Sequence, residues 1–285
     1  MNNFTENIIL IPIYNDWKSL NRLLIEINHT LDDTDFCKLL IVNDCSTQEI
    51  DIKKDGLDKI KEIKILSLKE NLGSQKCIAI GLDYLMKLGN NFYITIMDGD
   101  GEDDPSEVKK MLSSAKINVD NIITSCRKDR NESFIIKFSY KLHLILSLIF
   151  TWNWISFGNF SCFNSKNLTK INLLDIWFAY SAGILKNCKI KKIYASRKKR
   201  YFDSSKVNFI KLIEHSFRVI SVFYKRVFIS SLILILAIWI FNIQFGYLFY
   251  LLVFIFNLMV IFIRAKNSQK TYENLDLFVE KVKNL

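Results

Sequence analysis

The sequence predicts an α/β domain with a mostly parallel sheet, followed near the C-terminus by a two-helix transmembrane hairpin. Over the first 112 residues, four short apolar runs alternate with amphipathic stretches, as strands and helices do in a parallel sheet covered on both faces. Two longer apolar runs lie between residues 227 and 263, where no Asp, Glu, Lys or Arg occurs. Half of the 285 residues are apolar, which excludes an intrinsically disordered chain.

The four apolar runs are the predicted strands, and apolar residues at helical spacing follow the first and the third of them. The predicted strands are 8–13, 38–43, 63–68 and 92–97. The helical residues are Leu20, Leu23, Leu24 and Ile27 in the first stretch, and Ile78, Leu82 and Leu85 in the second. Ligands of such sheets lie beyond the carboxyl ends of the strands. Candidate binding residues are therefore expected in segments 14–16, 44–46, 71–73 and 98–100.

The basic residues are concentrated directly before the two long apolar runs. The chain has 39 Lys and Arg against 29 Asp and Glu, a net charge of +10. Residues 186–226 carry 13 basic and 2 acidic side chains, whereas residues 1–185 carry 21 basic and 24 acidic ones. A basic stretch beside an apolar segment is typical of contact with an anionic inner leaflet, and it disfavours a nucleic-acid partner.

The two long runs, 227–243 and 245–263, are close to the length of about 20 residues that a bilayer crossing needs. Basic residues precede the first run and follow the second, so the positive-inside rule places both termini in the cytoplasm. The start of the chain lacks the basic region and the long apolar region of a signal peptide, so the N-terminal catalytic domain is expected to stay in the cytoplasm. Together with the two spans, this predicts a multi-pass membrane protein. A buried helical pair in a soluble protein is the alternative. Two spans can also pack within one chain or between chains, so a homo-oligomer stays open.

This pattern predicts four segments: a domain over 1–206, a basic amphipathic juxtamembrane helix over 207–226, two spans within 227–263, and a cytosolic tail over 264–285. Residues 134–157 are apolar and aromatic, which predicts a helix either at the membrane interface or in the core. The six cysteines include no C-x-x-C pair, so a reduced setting without a cysteine metal site is expected.

Residues 98–104 place five carboxylates in seven positions after the fourth predicted strand. Like charges this close need a cation, and Mg²⁺ and Mn²⁺ prefer oxygen ligands. Asp98, Asp100 and Glu102 are therefore candidate metal ligands, and the small Gly99 would let a diphosphate approach. A solvated acidic loop or a weak calcium site is the alternative reading.

Four motifs in order resemble glycosyltransferase family 2: P-x-Y-N-D at 12–16, N-D-x-S-T at 43–47, an N-x-G segment at 71–73 followed by Gly81, and D-x-D at 98–100. Within that family the chain is most similar to polyisoprenyl-phosphate sugar transferases related to dolichyl-phosphate mannose synthase. The resemblance implies a GT-A (Rossmann-like) fold, an inverting reaction, a nucleotide-sugar donor, a Mg²⁺ or Mn²⁺ cofactor and a lipid-linked acceptor such as polyprenyl phosphate.

The resemblance also implies roles for individual residues of this sequence. The nucleotide-sugar site would comprise Pro12, Tyr14, Asp16, Val42, Asp44, Gly73, Asp98, Gly99, Arg127, Arg130, Arg200 and Lys206. Within that set, Asp44 would face the base or ribose, and Arg200 with Lys206 would close over the diphosphate. Asp98 and Asp100 would bind the metal, with Glu102 where relatives often have Gln. Asp100, Asp103 and Glu132 are the candidate catalytic carboxylates.

One departure concerns the acceptor. Relatives tend to have an Arg in the segment that here reads Gly158-Asn159-Phe160-Ser161. A saccharide hydroxyl of a lipopolysaccharide or another lipid-linked glycan is therefore an alternative acceptor, and it would require a general base such as Asp103 or Glu132. A non-catalytic membrane binding component with the same fold is the alternative from another class.

Overall fold

The computed structural model describes residues 6–32, 36–89, 91–126, 134–202, 209–242, 246–268 and 275–285. Its centre is a mixed sheet with strand order β7-β5-β6-β4-β1-β2-β3-β8. The strands are β1 (Glu6–Ile13), β2 (Cys37–Asn43), β3 (Ile60–Leu68), β4 (Phe92–Ile96), β5 (Asn121–Cys126), β6 (Phe157–Asn164), β7 (Lys189–Tyr194) and β8 (Val279–Asn284). The helices are α1 (Trp17–Thr30), α2 (Ser74–Lys87), α3 (Val108–Ile117), α4 (Phe134–Thr151), α5 (Leu173–Phe178), α6 (Tyr180–Asn187), α7 (Phe209–Val222), α8 (Tyr224–Ile240) and α9 (Tyr247–Ser268).

The four strands predicted from the apolar runs are confirmed as β1 to β4, and they form the parallel part of the sheet. β1 pairs in parallel with β2 and β4, and β2 pairs in parallel with β3. α2 packs on one face of these strands, while α1 and α3 pack on the other. Because both faces are buried, the strands read as continuous apolar runs rather than as alternating patterns.

The apolar segment over 134–157 is not one helix. α4 ends at Thr151, and Phe157 already begins β6, which runs antiparallel between β4 and β5. Trp152 has a positive φ of 59°, which ends the helix, and Ile155 and Phe157 are buried in the core. Apolar composition alone cannot separate the end of a helix from the start of a buried strand.

The C-terminal segment returns to the sheet. β8 pairs antiparallel with β3, and Lys87 Nζ lies 2.7 Å from Asp276 Oδ2 just before this strand. The sequence places 264–285 in a tail outside the 1–206 domain, whereas the structure adds its last strand to the sheet of that domain.

The apolar helices α7, α8 and α9 overlap the segments predicted as a juxtamembrane helix and two spans. α7 is followed by α8 with a bend of 94° between them. α9 alone is long and apolar enough to cross a bilayer; among the described residues only the bent α7–α8 pair, counted as one span, would add a second crossing. The two-helix hairpin is therefore not confirmed by length and composition.

Candidate active site

The side chain of Asn15 joins the loops that follow β1 and β2. Its Oδ1 accepts hydrogen bonds from Thr47 N at 2.8 Å and Gln48 N at 3.2 Å, and the backbone N–H of Asn15 donates to Ser46 Oγ at 2.9 Å. The φ of Asn15 is +50°, a region that Asn tolerates better than most residues. Sequence reasoning missed this positioning role, although Asn15 belongs to the P-x-Y-N-D motif.

Of the three residues predicted in the first loop, two support the fold and one is exposed at the edge of the sheet. Pro12 is buried in β1, and Asp16 caps α1 by accepting from Ser19 N at 3.3 Å. The ring of Tyr14 is 45% exposed at the carboxyl edge of the sheet. Tyr14 is therefore the member of this group with the most exposed side chain, and its predicted contact with the nucleotide-sugar stays a prediction.

Asp44 is buried and holds the loop before α2. Its Oδ1 accepts from Leu72 N at 2.6 Å and its Oδ2 from Gly73 N at 2.9 Å. Gly73 has a φ of +88° at the N-terminus of α2, a backbone conformation that favours glycine. Both oxygens of the Asp44 carboxylate thus accept a backbone hydrogen bond each, and its predicted contact with a base or ribose stays a prediction. Val42 likewise turns its side chain into the core, against Gly81 of α2.

The acidic loop, residues 98–104, is folded by its own carboxylates. Asp103 Oδ2 accepts from Asp98 N at 3.0 Å, and Asp100 Oδ1 accepts from Glu102 N at 2.9 Å. A Cβ atom at Gly99 would lie 3.0 Å from Ile13 Cδ1, so this glycine permits close packing against β1. One oxygen of Asp100 and one of Asp103 thus serve the loop itself.

Residues 195–202, called the strap, lie over the acidic loop. Lys198 N donates to Glu102 O at 3.0 Å, and Tyr201 N donates to Asp100 O at 3.1 Å. The ring of Tyr201 packs directly on Gly101, where a Cβ atom would lie 2.2 Å from the ring. The strap and the acidic loop therefore form one unit, although they are far apart in the sequence.

Two arginines of the strap are paired with carboxylates of the acidic loop. Arg200 Nη2 lies 2.9 Å from Asp100 Oδ2, and Arg197 forms an ion pair with Glu102. Burial raises the pKa of Asp100 despite the opposing effect of the two guanidinium groups. Burial also lowers the pKa of Arg197, against the attraction of Asp100 and Asp98. Sequence reasoning selected Arg200 but missed Arg197, which is part of the basic run before the apolar segments.

The carboxylates fit a divalent cation by their chemistry, since Asp98, Asp100 and Glu102 are hard oxygen donors, and the guanidinium groups show that the loop stabilises positive charge. In this arrangement the three carboxylates do not surround a common point. Within the described residues no group of three or more His, Cys, Asp or Glu side chains is placed to hold a metal. The oxygens of Asp100 and Glu102 that are paired with arginines become available to a cation only if those pairs are released.

Asp98 is connected to the start of α6 through two amide side chains. Asn159 Nδ2 donates to Asp98 Oδ1 at 3.1 Å, and Asn159 Oδ1 accepts from Gln75 Nε2 at 3.1 Å. Gln75 Oε1 in turn accepts from Tyr180 N at 2.6 Å. Ser161, in the segment where relatives tend to have Arg, is fully buried, and its hydroxyl lies 2.5 Å from that of Tyr180. This chain of contacts was not foreseen from the sequence, because the residues lie on three separate elements.

Four predicted site residues fall outside the part of the chain that the structure describes. They are Arg127, Arg130, Glu132 and Lys206. Their predicted roles therefore stay predictions.

Comparisons with known proteins agree with this architecture. The crystal structure of glucosyl-3-phosphoglycerate synthase from Mycobacterium tuberculosis with Mn²⁺, UDP-glucose and phosphoglyceric acid is similar at a TM-score of 0.53 and 12% identity, covering 78% of this chain and 80% of that one. The TarS 1–349 structure from S. aureus with UDP-GlcNAc is similar at a TM-score of 0.50 and 17% identity, covering 79% and 69%. At these identities the likeness shows the fold alone, a GT-A-like mixed sheet.

A curated relative, an uncharacterized glycosyltransferase from Synechocystis sp., is 26% identical over 137 residues. The match covers 47% of this chain and 42% of the relative, less than half the length of either protein. The family model for glycosyl transferase family 2 matches residues 8–187, which include β1 to β6, the acidic loop and α6. The chain therefore belongs to glycosyl transferase family 2.

Proposed function

We propose that the protein is a membrane-anchored, inverting glycosyltransferase that moves a sugar from a nucleotide-sugar to a lipid-linked acceptor such as polyprenyl phosphate. The observation that carries the proposal is the family 2 domain whose acidic loop and two arginines lie at one edge, continuous in sequence with apolar helices. The relatives solved with UDP-sugars, one of them also with Mn²⁺, support a nucleotide-sugar donor and a divalent cation.

Asp98, Asp100 and Glu102 would hold the cation, which supplies positive charge to the leaving nucleotide diphosphate. Arg200 is the matching protein group. Its Nε is buried and has no hydrogen-bond partner among the described residues, while its Nη2 is paired with Asp100. The unused Nε–H can donate to one phosphate oxygen, and release of Nη2 from Asp100 would complete a bidentate contact. Tyr14, exposed at the same sheet edge, would pack against the base.

The connections of α8 and α9 support a hairpin that enters and leaves the membrane on the side of the catalytic domain. Before α8, Val219 and Val222 of α7 pack on Phe178 and Ala182. After α9, the chain returns to the sheet as β8. If α9 crosses the bilayer, α8 must cross it too, because both ends of the pair are fixed to one domain. Asn257 Nδ2 donates to Ser231 Oγ at 2.9 Å between the two helices, as expected of packed spans.

The transfer reaction is tested with membranes, radiolabelled nucleotide-sugars and extraction of the lipid fraction. Asp98→Asn and Asp100→Asn are expected to abolish label transfer, and EDTA is expected to do the same to the parent protein. Asp55→Asn, an exposed carboxylate on a turn, is the matched control and should retain activity. Full activity in both acidic-loop variants would reject the metal assignment. Label in a saccharide product without a phosphate-linked lipid would identify the hydroxyl acceptor instead.

The topology is tested in intact cells with a membrane-impermeant maleimide. Asn242→Cys, in the turn after α8, is expected to be labelled from outside, whereas Lys266→Cys at the end of α9 is not. The native cysteines would lie on the same side as Lys266 and give no background. Equal labelling of the two variants would refute the hairpin.

A further inference from the structure

Arg197 lies where the positive charge of a cation would be needed. It forms an ion pair with Glu102, and the carboxylates of Asp98 and Asp100 both attract its guanidinium. We propose that Arg197 is a positioning residue that neutralises the acidic loop before the donor binds and is exchanged for the divalent cation, so that cation binding depends on a diphosphate. This inference rests on the proposed function, since it concerns the cation of that reaction.

The first argument is the charge of the site. The three predicted ligands and the two arginines of the strap carry a net charge of −1. A divalent cation alone, with both guanidinium groups still beside the carboxylates, would change this to +1 among side chains that are at most 26% exposed. A cation that arrives with a diphosphate of two negative charges leaves the net charge at −1. The resting ion pairs therefore favour joint binding over binding of the metal alone.

The second argument is that the strap does not depend on the Arg197 side chain. Backbone hydrogen bonds from Lys198 N and Tyr201 N hold it on the acidic loop. Ser196 Oγ donates to Asp104 Oδ2 at 2.8 Å, and Lys198 Nζ lies 3.1 Å from Asp104 Oδ1. Removing the guanidinium of Arg197 is therefore expected to leave the strap in place and to change the charge facing the ligands.

The third argument is the chemistry of the pair. The Glu102 oxygen that pairs with Arg197 cannot bind a metal ion from the same side at the same time, so the guanidinium and the metal compete for this oxygen. A guanidinium is weakly hydrated, so it forms a stable ion pair with Glu102 in the resting site. It carries only one positive charge, so a divalent metal ion can replace it. Asp100 is in the same position with Arg200, which then becomes available for the diphosphate.

The test measures Mn²⁺ binding by titration calorimetry on the full-length protein in detergent, first without nucleotide and then with UDP, GDP or CDP. Arg197→Gln is expected to bind Mn²⁺ alone at least about tenfold more tightly than the parent protein, because one opposing charge is gone. Arg197→Lys keeps the charge and should behave like the parent. Lys199→Gln removes an exposed charge from the same strap and is the control for a general electrostatic effect.

Equal Mn²⁺ affinity in Arg197→Gln and the parent protein would overturn the role of Arg197 and leave the proposed transfer reaction standing. Equal tightening in Lys199→Gln would overturn it as well, since the effect would then not come from the ion pair. If neither the parent nor Arg197→Gln binds Mn²⁺ and sugar transfer survives EDTA, the metal part of the proposed function fails together with this inference. The melting temperature of each variant, measured without metal, confirms that the protein titrated is folded.

Discussion

Replacing Asp44 by Asn tests whether this carboxylate is part of the framework or of the nucleotide site. Its two oxygens accept hydrogen bonds of 2.6 Å from Leu72 N and 2.9 Å from Gly73 N in a buried position. An amide keeps one acceptor and turns an NH₂ group towards the other backbone N–H. The loss of one charge-assisted hydrogen bond, with a buried donor left unsatisfied, costs about 2–4 kcal/mol. At about 2–4 °C per kcal/mol for a domain of this size, the melting temperature falls by roughly 5–15 °C.

The assay is thermal unfolding followed by tryptophan fluorescence, in the absence of nucleotide and metal. Asp55→Asn makes the same chemical change on an exposed turn and is expected to stay within about 2 °C of the parent protein. A melting temperature of Asp44→Asn equal to that of the parent would refute the framework role. Such a result, combined with loss of nucleotide binding, would restore the contact with base or ribose that the sequence resemblance implied.

Two further predictions concern packing and pH. Gly101→Ala is expected to displace the ring of Tyr201 and to lower both stability and sugar transfer. Gly56→Ala is the control, because Gly56 has a similar positive φ but open space around it, so only the smaller backbone effect is expected. Equal losses of stability in the two variants would contradict the role of the ring. Burial raises the pKa of both Cys37 and Cys162 to about 12 from the ordinary 9.0. Below pH 9 these thiols are protonated in the folded and unfolded chains alike, so their contribution is constant; above pH 9 only the unfolded chain ionises, and stability falls. The double variant Cys37→Ala/Cys162→Ala should show a smaller drop in melting temperature between pH 8 and pH 10 than the parent, and an unchanged drop would contradict this assignment.

Much of the fold could be predicted because its signals are local. Continuous apolar runs bounded by polar residues gave β1 to β4, since buried parallel strands need no alternation. β5 to β8 were not predicted, and the reasons differ for β6 and β8. β6 follows the apolar α4 after only five residues, so composition does not separate the two. β8 is an exposed edge strand with the sequence Val-Glu-Lys-Val-Lys-Asn, which looks like a polar tail.

In the candidate site, too, local features could be predicted from the sequence, whereas contacts between distant residues could not. The motif order selected the loops after β1 to β4, which lie near one another because parallel strands bring their carboxyl ends to one edge. The hydrogen-bond or ion-pair partner of each side chain could not be predicted from the motifs. The sequence did not show that Asp44 accepts hydrogen bonds from the loop before α2, and it gave Arg197 no role beyond that of a basic residue before the membrane segments. Asn15 and Asn159 act through hydrogen bonds to residues on other elements, and no local pattern marks such a contact.

The sequence by itself determined the parallel strands, the family and the order of an acidic loop, a basic stretch and apolar helices along the chain. These properties depend on composition and periodicity within contiguous segments. Only the tertiary structure decided that Arg197 and Arg200 pair with carboxylates of the acidic loop, that Asp44 supports the loop before α2, and that the last strand returns to the sheet. Those pairings join residues that are distant in sequence, so they depend on how the strands of the sheet are connected. They also depend on burial, because a charged group that is removed from water needs a partner of opposite charge.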